Sequence, residues 1–252
     1  MASVPPKVLI VTGGSRGIGA AIARLAAAEG YAICISYLQD QRAADDVVDS
    51  ITAQGANAMA VRADVAVEGD VVRLFERVDG SLGRVTALVN NAGILQKQAR
   101  VEELDADRIS RVLAVNVVGS FICSREAVRR MSTRHGGSGG AIVNISSRAG
   151  RLGSPGEYVD YAASKGAVDT LTVGLAKEVA AEGIRVNAVA AGIIYTDIHA
   201  SGGEPGRVGR IKDTIPMKRG GTADEVARAA LWLLSDQASY TTGSTIDVAG
   251  GR

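Results

Sequence analysis

Residues 12–19 read Thr12-Gly13-Gly14-Ser15-Arg16-Gly17-Ile18-Gly19 and join a short β-branched run to a helix-like segment. At such a junction, a glycine-rich turn lets backbone N–H groups and the positive helix N-terminus face a pyrophosphate without an intervening Cβ. The spacing is Gly-x-x-x-Gly-x-Gly rather than the commoner Gly-x-Gly-x-x-Gly. The stretch predicts a nucleotide-binding strand, turn and helix; a plain tight turn is the alternative interpretation.

Short apolar runs alternate with longer helix-like segments along the chain, which is typical of βαβ units. The runs predict strands at 8–11, 32–36, 58–62, 86–89, 140–145, 185–190 and 244–247. Helices are predicted near 17–29, 41–54, 68–82, 107–134, 159–182 and 223–235. We therefore expect an α/β protein in which a single domain over residues 1–252 holds a doubly wound, parallel, seven-stranded sheet with helices on both faces.

The segment 196–215 is long for a connection within a compact domain, and such segments are often binding lids. We interpret it as a substrate lid, with a mobile surface loop as the alternative.

Composition narrows the class of partner. The chain has 252 residues, 46% of them hydrophobic, and a formal net charge of +1, which gives no broad surface for nucleic acid or an anionic membrane. Cys34 and Cys123 lie in separate apolar contexts, as reduced core thiols do. The first seven residues lack the apolar core of a signal peptide, and no run approaches the roughly 18 apolar residues of a membrane span. We expect a cytoplasmic protein that acts on a small molecule.

The end of the second predicted strand bears on the choice of dinucleotide. Sites for NAD usually place an acidic residue there, to accept hydrogen bonds from the ribose 2′-hydroxyl. Here the strand ends Ser36-Tyr37-Leu38, and Arg16 lies in the glycine turn. A 2′-phosphate would meet a cation and small polar groups, so NADP(H) is the preferred cofactor and NAD(H) stays open. Asp40 is close by, but it suits the N-cap of the next helix.

Tyr161 and Lys165 lie four residues apart in a predicted helix. Residues at this spacing share a helix face with Cβ atoms roughly 5–6 Å apart, so the lysine charge is expected to lower the pKa of the phenol. A tyrosine in that setting donates and accepts protons near neutral pH. The alternative is a chance pair with a half-buried ring and a solvated amine.

Several motifs in order carry a resemblance to a known family. They comprise Thr12 to Gly19, Asp64-Val65, Asn90-Asn91-Ala92-Gly93, Asn116, Ser147, Tyr161-Ala162-Ala163-Ser164-Lys165, and Gly192 with Thr196. The chain resembles the short-chain dehydrogenases/reductases over nearly its whole length, and among them the bacterial glucose 1-dehydrogenase and 3-oxoacyl-carrier-protein reductase types. The resemblance implies a Rossmann-like domain, an NAD(P)(H)-dependent interconversion of alcohol and carbonyl, and a homotetramer.

The resemblance also implies residue roles at the cofactor. Asp64 would contact the adenine, and Asn90 and Gly93 would line the adenosine side and stabilise the central strand. Thr196 and the backbone of Ile194 would meet the nicotinamide carboxamide. The expected cofactor-binding set is Gly13, Ser15, Arg16, Gly17, Ile18, Gly19, Ser36, Tyr37, Asp64, Val65, Asn90, Ala92, Gly93, Tyr161, Lys165, Gly192, Ile194 and Thr196. One departure is Ala191 before Gly192, where relatives commonly have proline, which would fix φ.

The expected catalytic residues are Asn116, Ser147, Tyr161 and Lys165. By resemblance, Tyr161 would exchange a proton with the substrate oxygen and Ser147 would hydrogen-bond it. Lys165 would lower the pKa of the tyrosine and hold the ribose, and Asn116 would hold a water that relays protons. The alternatives are structural, with Ser147 capping the strand exit and Asn116 bonding local backbone.

Charged residues near the expected pocket leave the substrate open. Arg148, Arg151, Arg207, Arg210 and Lys212 suit an acidic substrate such as an acyl thioester, or else they only solvate loops. His199 lies in the expected lid, where a lone histidine is more often exposed than in contact with substrate. No pair of histidines or carboxylates has metal-ligand spacing, so we expect no metal.

We therefore expect an NADP(H)-dependent enzyme acting on a ketone or β-keto acyl compound. A sugar 1-dehydrogenase and a non-catalytic dinucleotide-binding sensor or scaffold are the alternatives.

Overall fold

One seven-stranded sheet organises the computed structural model, which describes residues 7–252. Residues 1–6, most of the segment considered above for a secretion signal, lie outside the described residues. The strands are Lys7–Val11 (β1), Tyr31–Tyr37 (β2), Ala58–Arg62 (β3), Ala87–Asn90 (β4), Gly140–Ser147 (β5), Ile184–Ala191 (β6) and Thr245–Val248 (β7). Every predicted strand is confirmed, with bounds shifted by one or two residues at most.

The strands pair in parallel in the order β3-β2-β1-β4-β5-β6-β7. This is the expected doubly wound sheet. Strand order reverses between β1 and β4, and in open α/β sheets ligands bind in the crevice outside the carboxyl ends of strands at this point.

Helices cover both faces because the central strands are apolar on both sides. The α-helices are Gly17–Ala28 (α1), Gln41–Thr52 (α2), Glu68–Ser81 (α3), Ala106–Leu113 (α4), Gly119–Met131 (α5), Ala149–Leu152 (α6), Val159–Val179 (α7), Ile198–Ser201 (α8), Arg207–Ile211 (α9) and Ala223–Leu234 (α10). On one face Leu9 of β1 lies in a core cluster with Ile22 and Val226. On the other face Ile10 lies with Phe75. Each such side chain contributes about 1.5–3 kcal/mol when fully buried.

The helix predicted over 107–134 is confirmed over residues 106–131, but it contains a π-helical turn that the sequence did not predict. The structure has α4, then a π-helical turn at Ala114–Val118, then α5. Within that turn, Asn116 Oδ1 accepts a hydrogen bond from the backbone N of Ile94 at 2.8 Å, and its Nδ2 donates to the Ile94 carbonyl at 3.1 Å. The asparagine thus ties the helix to the segment after β4. Single π turns of this kind are frequent at functional sites.

The predicted lid contains two short helices, α8 and α9, and a 3₁₀ turn at Lys212–Thr214. The helix predicted over 159–182 ends at Val179 and continues as a 3₁₀ turn at Ala180–Glu182. These short elements escape sequence prediction because each has too few residues to show a helical period.

Two smaller predictions are confirmed. Asp40 is the N-cap of α2, where its Oδ1 accepts from the backbone N of Ala43 at 2.9 Å. Cys34 and Cys123 are buried and unpaired, and burial raises the pKa of each thiol to about 12.

Across residues 7–252, no helix is both long enough and apolar enough to pass through a membrane.

Candidate active site

The glycine turn after β1 has a backbone shape that side chains would disturb. Gly13 and Gly17 have φ of +62° and +55°, in the left-handed region that favours glycine. A Cβ at Gly13 would stand 3.0 Å from the Ala92 Cα, and one at Gly19 would stand 2.5 Å from the Asn91 side chain. The turn therefore lies directly against the segment that follows β4, at the switch point.

Thr12 and Asn91 tie the two sides of this crevice together. The Thr12 hydroxyl accepts hydrogen bonds from the backbone N atoms of Asn91 and Ala92, both at 3.0 Å. In return, Asn91 Nδ2 donates to the carbonyls of Thr12 at 2.9 Å and Gly13 at 2.8 Å. Sequence reasoning assigned neither side chain a role, although both lie in the quoted motifs as polar residues at the ends of neighbouring strands.

A groove of about 490 Å³ opens beside the turn. Most of the expected cofactor residues line it, namely Gly13, Ser15, Arg16, Gly17, Ile18, Ser36, Tyr37, Asp64, Val65, Ala92, Gly93 and Thr196. Four other residues of the expected cofactor set line a second cavity instead, namely Tyr161, Lys165, Gly192 and Ile194. The structure thus brings the predicted cofactor residues together along one side of the sheet.

Two members of the expected cofactor set line neither the groove nor the second cavity. Gly19 is buried beneath the turn. Asn90 is buried as well, where its Nδ2 donates to Ser124 Oγ at 3.0 Å and to Asn144 Oδ1 at 2.9 Å. Asn90 therefore does not line the groove, but its amide connects β4 to β5 and α5, which agrees with the expected role in stabilising the central strand.

Asp64 lines the groove while its carboxylate is already engaged. Its Oδ2 accepts from Arg111 Nη2 at 2.9 Å, and its Oδ1 accepts from the backbone N of Ala66 at 3.0 Å. These bonds fix the carboxylate at the groove wall. Its contact with an adenine ring stays a prediction.

The second cavity, of about 500 Å³, holds Ser147, Tyr161 and Lys165. It shares lining residues with the groove, namely Ile18, Asn91, Gly93, Leu95, Thr196 and Ile198. The two spaces are therefore neighbouring parts of one cleft. An extended ligand that lies on the glycine turn would reach the tyrosine with its other end.

Tyr161 and Lys165 both project from the start of α7. Lys165 is buried, and its Nζ donates to the Ile145 carbonyl of β5 at 2.7 Å. The same Nζ lies 5.6 Å from the centre of the Tyr161 ring. Ser147 is the last residue of β5, and its hydroxyl donates to the Ala191 carbonyl of β6 at 3.4 Å. The Ser147 hydroxyl also accepts from the backbone N of Ala149 at 3.1 Å, so it caps the strand exit as well.

The expectation that Lys165 lowers the pKa of Tyr161 is wrong for this structure. Burial raises the pKa of Tyr161 to about 12, and the nearby Ser147 hydroxyl only partly offsets that rise. Burial also lowers the pKa of Lys165 to about 8, against the opposing charge of Asp169. Desolvation penalises the charged form of each group. At neutral pH the phenol is therefore protonated.

Asn116 lies next to this pair without lining the cavity. Its Nδ2 also donates to Ser164 Oγ at 3.0 Å, so the side chain bonds both α7 and the segment after β4. Gly93 separates it from the lysine, since a Cβ there would stand 3.4 Å from Asn116 Oδ1 and 3.7 Å from Lys165 Nζ. The expected water relay through Asn116 stays a prediction.

The arginines that sequence reasoning offered to an acidic substrate are paired with carboxylates. Asp247 Oδ2 accepts from Arg148 at 2.7 Å and from Arg151 at 3.0 Å. In the lid, Arg207 and Arg210 each bond both Glu157 and Glu204. We call these last four residues the lid network, because they join α9 to the segment before α7. Lys212 is exposed and lies outside the cavity lining.

His199 differs from the expectation of an exposed lid histidine. It is buried in α8, lines the second cavity, and its Nε2 donates to the Ile194 carbonyl at 3.0 Å. Burial lowers its pKa, so the imidazole is neutral at pH 7.

A cleft that runs from a glycine turn to a buried tyrosine–lysine pair defines a nicotinamide-dependent oxidoreductase. A family model described as Enoyl-(Acyl carrier protein) reductase matches residues 13–252. The chain belongs to the short-chain dehydrogenase/reductase family, whose members use NAD(P).

Individual relatives agree with this assignment. The chain is 61% identical to the uncharacterized oxidoreductase YgfF of Escherichia coli (strain K12), over 97% of this chain and 99% of the relative. It is 39% identical to a 3-oxoacyl-[acyl-carrier-protein] reductase of Synechocystis sp., over 100% of this chain and 98% of the relative. A solved short-chain dehydrogenase from Burkholderia cenocepacia J2315, in complex with NADP, is 34% identical with a TM-score of 0.88 and 97% coverage of both chains.

The lid network predicts a pH-dependent stability. Hydrogen bonds from Arg210 hold the pKa of Glu204 at about 2, below its ordinary value of 4.5. A carboxylate with a depressed pKa stabilises the folded state above pH 4.5 and loses that effect as the pH falls towards 2. We expect Glu204→Gln to lower the free energy of unfolding by about 0.5–1 kcal/mol at neutral pH. The difference from the wild type should shrink at about pH 3.

Urea denaturation at both pH values measures this difference. Glu76→Gln, at an exposed site on α3, is the matched control and should leave the unfolding free energy nearly unchanged at both. If Glu204→Gln lowers the free energy of unfolding by the same amount at both pH values, the proposed stabilisation by the lid network is contradicted.

Proposed function

We propose that the protein is an NADP(H)-dependent oxidoreductase that interconverts a ketone, or a β-keto acyl compound, and a secondary alcohol. The observation that carries the proposal is the cleft itself, because its lining joins the glycine turn to Ser147, Tyr161 and Lys165. A dinucleotide needs both ends of such a cleft at once.

The bound dinucleotide supplies the hydride, and the protein binds, orients and manages one proton. Positive-φ glycines keep the turn free of side chains, so backbone N–H groups at the start of α1 would hold the pyrophosphate. Thr196 lines both the groove and the second cavity, and Ile194 lines the second cavity, so these two residues would hold the carboxamide. Lys165 would bond the ribose hydroxyls with the donors that Ile145 leaves free.

Tyr161 is the proposed acid and base. In reduction its phenol proton passes to the carbonyl oxygen as that oxygen gains negative charge, and Ser147 donates a hydrogen bond to the same oxygen. The raised pKa of Tyr161 keeps the proton in place at neutral pH, which suits donation. In oxidation the phenolate takes the proton of the alcohol.

Tyr161→Phe tests this role because it removes one oxygen and keeps the ring. We expect ketone reduction to fall by about a thousandfold or more, while NADPH binding, followed by its fluorescence, stays within about threefold. Tyr158→Phe is the matched control, since the Tyr158 hydroxyl bonds the Gly202 carbonyl at 3.4 Å and should be dispensable for proton transfer. Reduction by Tyr161→Phe within about tenfold of wild type would refute the assigned role.

The preference for NADP(H) is supported by the groove's charges. Arg16 and Ser36 line it, and the nearest acidic side chain at the end of β2, Asp40, is used as the N-cap of α2. A guanidinium at this position can pair with a 2′-phosphate.

Arg16→Ala should raise the KM for NADPH by about tenfold and leave the KM for NADH within about twofold, because only NADPH carries the 2′-phosphate. Initial rates with each dinucleotide measure both. Arg42→Ala, at an exposed arginine on α2, serves as the control. A wild-type enzyme that turns over NADH clearly better than NADPH would overturn the preference.

Two other functions compete with this proposal. Sugar 1-dehydrogenase activity needs the same cleft and differs in substrate alone. A sensor or scaffold would bind dinucleotide without turnover, but it would have no use for a protonated phenol beside a buried lysine. A panel of activated ketones, β-keto esters and sugars, followed by NADPH absorbance, separates the three.

A homotetramer is the proposed assembly. Apolar side chains are exposed on the outer helices, including Phe121 on α5, Val173 on α7 and Trp232 on α10. These side chains lie on helices at both faces of the sheet, where contacts with other subunits would cover them. Sedimentation velocity should give a tetramer at micromolar concentration, and a stable monomer would remove this part of the proposal.

A further inference from the structure

Beyond β7 the chain turns back towards the cleft. Gly250 and Gly251 have φ of +62° and +90°, a conformation that bends the chain where other residues would be strained. The turn places Arg252 in the wall of the second cavity, together with Ser147 and Tyr161. No motif in the sequence pointed to this residue.

The position of Arg252 is fixed from two sides. Arg148 Nε donates to the main-chain oxygen of Arg252 at 2.7 Å, and the Arg252 backbone N donates to Ala249 at 3.3 Å. The backbone N of Met217, just after the lid, donates to the Gly250 carbonyl at 3.1 Å. Arg252 therefore belongs to a built part of the pocket.

The other charged side chains of the cavity already have partners. Lys165 donates to the Ile145 carbonyl, and its other donors are assigned to the ribose. Arg148 pairs with Asp247, and Arg207 pairs with Glu157 and Glu204. Glu157, the carboxylate of the cavity wall, is itself neutralised by Arg207 and Arg210. These pairs leave little charge available to a substrate.

Arg252 is different. Its Nη1 atom is buried, and among residues 7–252 it has no hydrogen-bond partner. A buried N–H of a charged group is costly to leave unpaired, and an anionic oxygen is the partner that a guanidinium binds most strongly.

We propose that Arg252 is a specificity-determining residue that binds a carboxylate on the carbonyl substrate, which deepens the proposed function and rests on it. A cavity of about 500 Å³ also has to admit the nicotinamide end of the dinucleotide, so the remaining room suits a small keto acid. The substrate class that fits best is therefore a carbonyl compound with a carboxylate near the reacting carbon.

Binding measurements test the anion site independently of turnover. Isothermal titration calorimetry of benzoate and its neutral isostere benzamide, with and without NADP⁺, gives the preference for the charged ligand. We expect wild type to bind benzoate about tenfold more tightly than benzamide, Arg252→Gln to lose that preference, and Arg252→Lys to keep part of it. Arg151→Gln is the matched control, because Arg151 pairs with Asp247, as Arg148 does, but lies outside the cavity lining.

Turnover gives the second measurement. Benzoylformate and its ethyl ester share the keto-acid skeleton, and the ester replaces the negative charge with an ethyl group. Arg252→Gln should lower the ratio of the kcat/KM value for benzoylformate to that for the ester by about tenfold or more. The inference is overturned if wild type and Arg252→Gln both reduce the ester, have the same ratio of kcat/KM values, and have the same preference for benzoate over benzamide. The proposed function would then stay intact. A different result is that the protein reduces neither compound and no panel ketone, yet prefers benzoate in a way that depends on Arg252. That result would support the anion site and contradict the proposed function.

Discussion

A single buried amine constrains the chemistry of this cleft. The Lys165 ammonium group has left water and is held by the Ile145 carbonyl at 2.7 Å, under the ring of Tyr161. The amine lies there because β5 ends beside α7 and because the π turn brings Asn116 against the segment after β4. A buried charge is tolerated only where such partners are arranged around it.

Burial sets the proton states of the pair. It keeps the tyrosine protonated and makes the lysine easier to deprotonate, because both charged forms lose water. The protein alone is thus prepared to donate a proton and poorly prepared to accept one. The positive charge of an oxidised nicotinamide next to the phenol would favour the phenolate, so the same two side chains can serve oxidation once NADP⁺ is bound.

Much of this architecture follows from local sequence pattern. The strands were predictable because buried parallel strands read as continuous apolar runs, and the glycine turn and the Tyr161–Lys165 spacing because their geometry is local. The π turn, the pairing of Arg148 with Asp247 and the placement of Arg252 were not predictable. Each depends on contacts between residues far apart in the chain, and a side chain's type does not reveal whether a distant carboxylate will neutralise it. The sequence also predicted the wrong direction for the pKa shift of Tyr161, because the depth at which a side chain is buried is known only from the fold.

The most direct test is the titration of Tyr161 itself by NMR, with tyrosine labelled at the ring carbon that bears the hydroxyl. The chain has six tyrosines, and comparison with Tyr161→Phe identifies the signal. We expect a pKa near 12 for the protein alone and a clearly lower pKa when NADP⁺ is bound. An identical pKa with and without saturating NADP⁺ would place the phenol away from the nicotinamide charge and contradict the account.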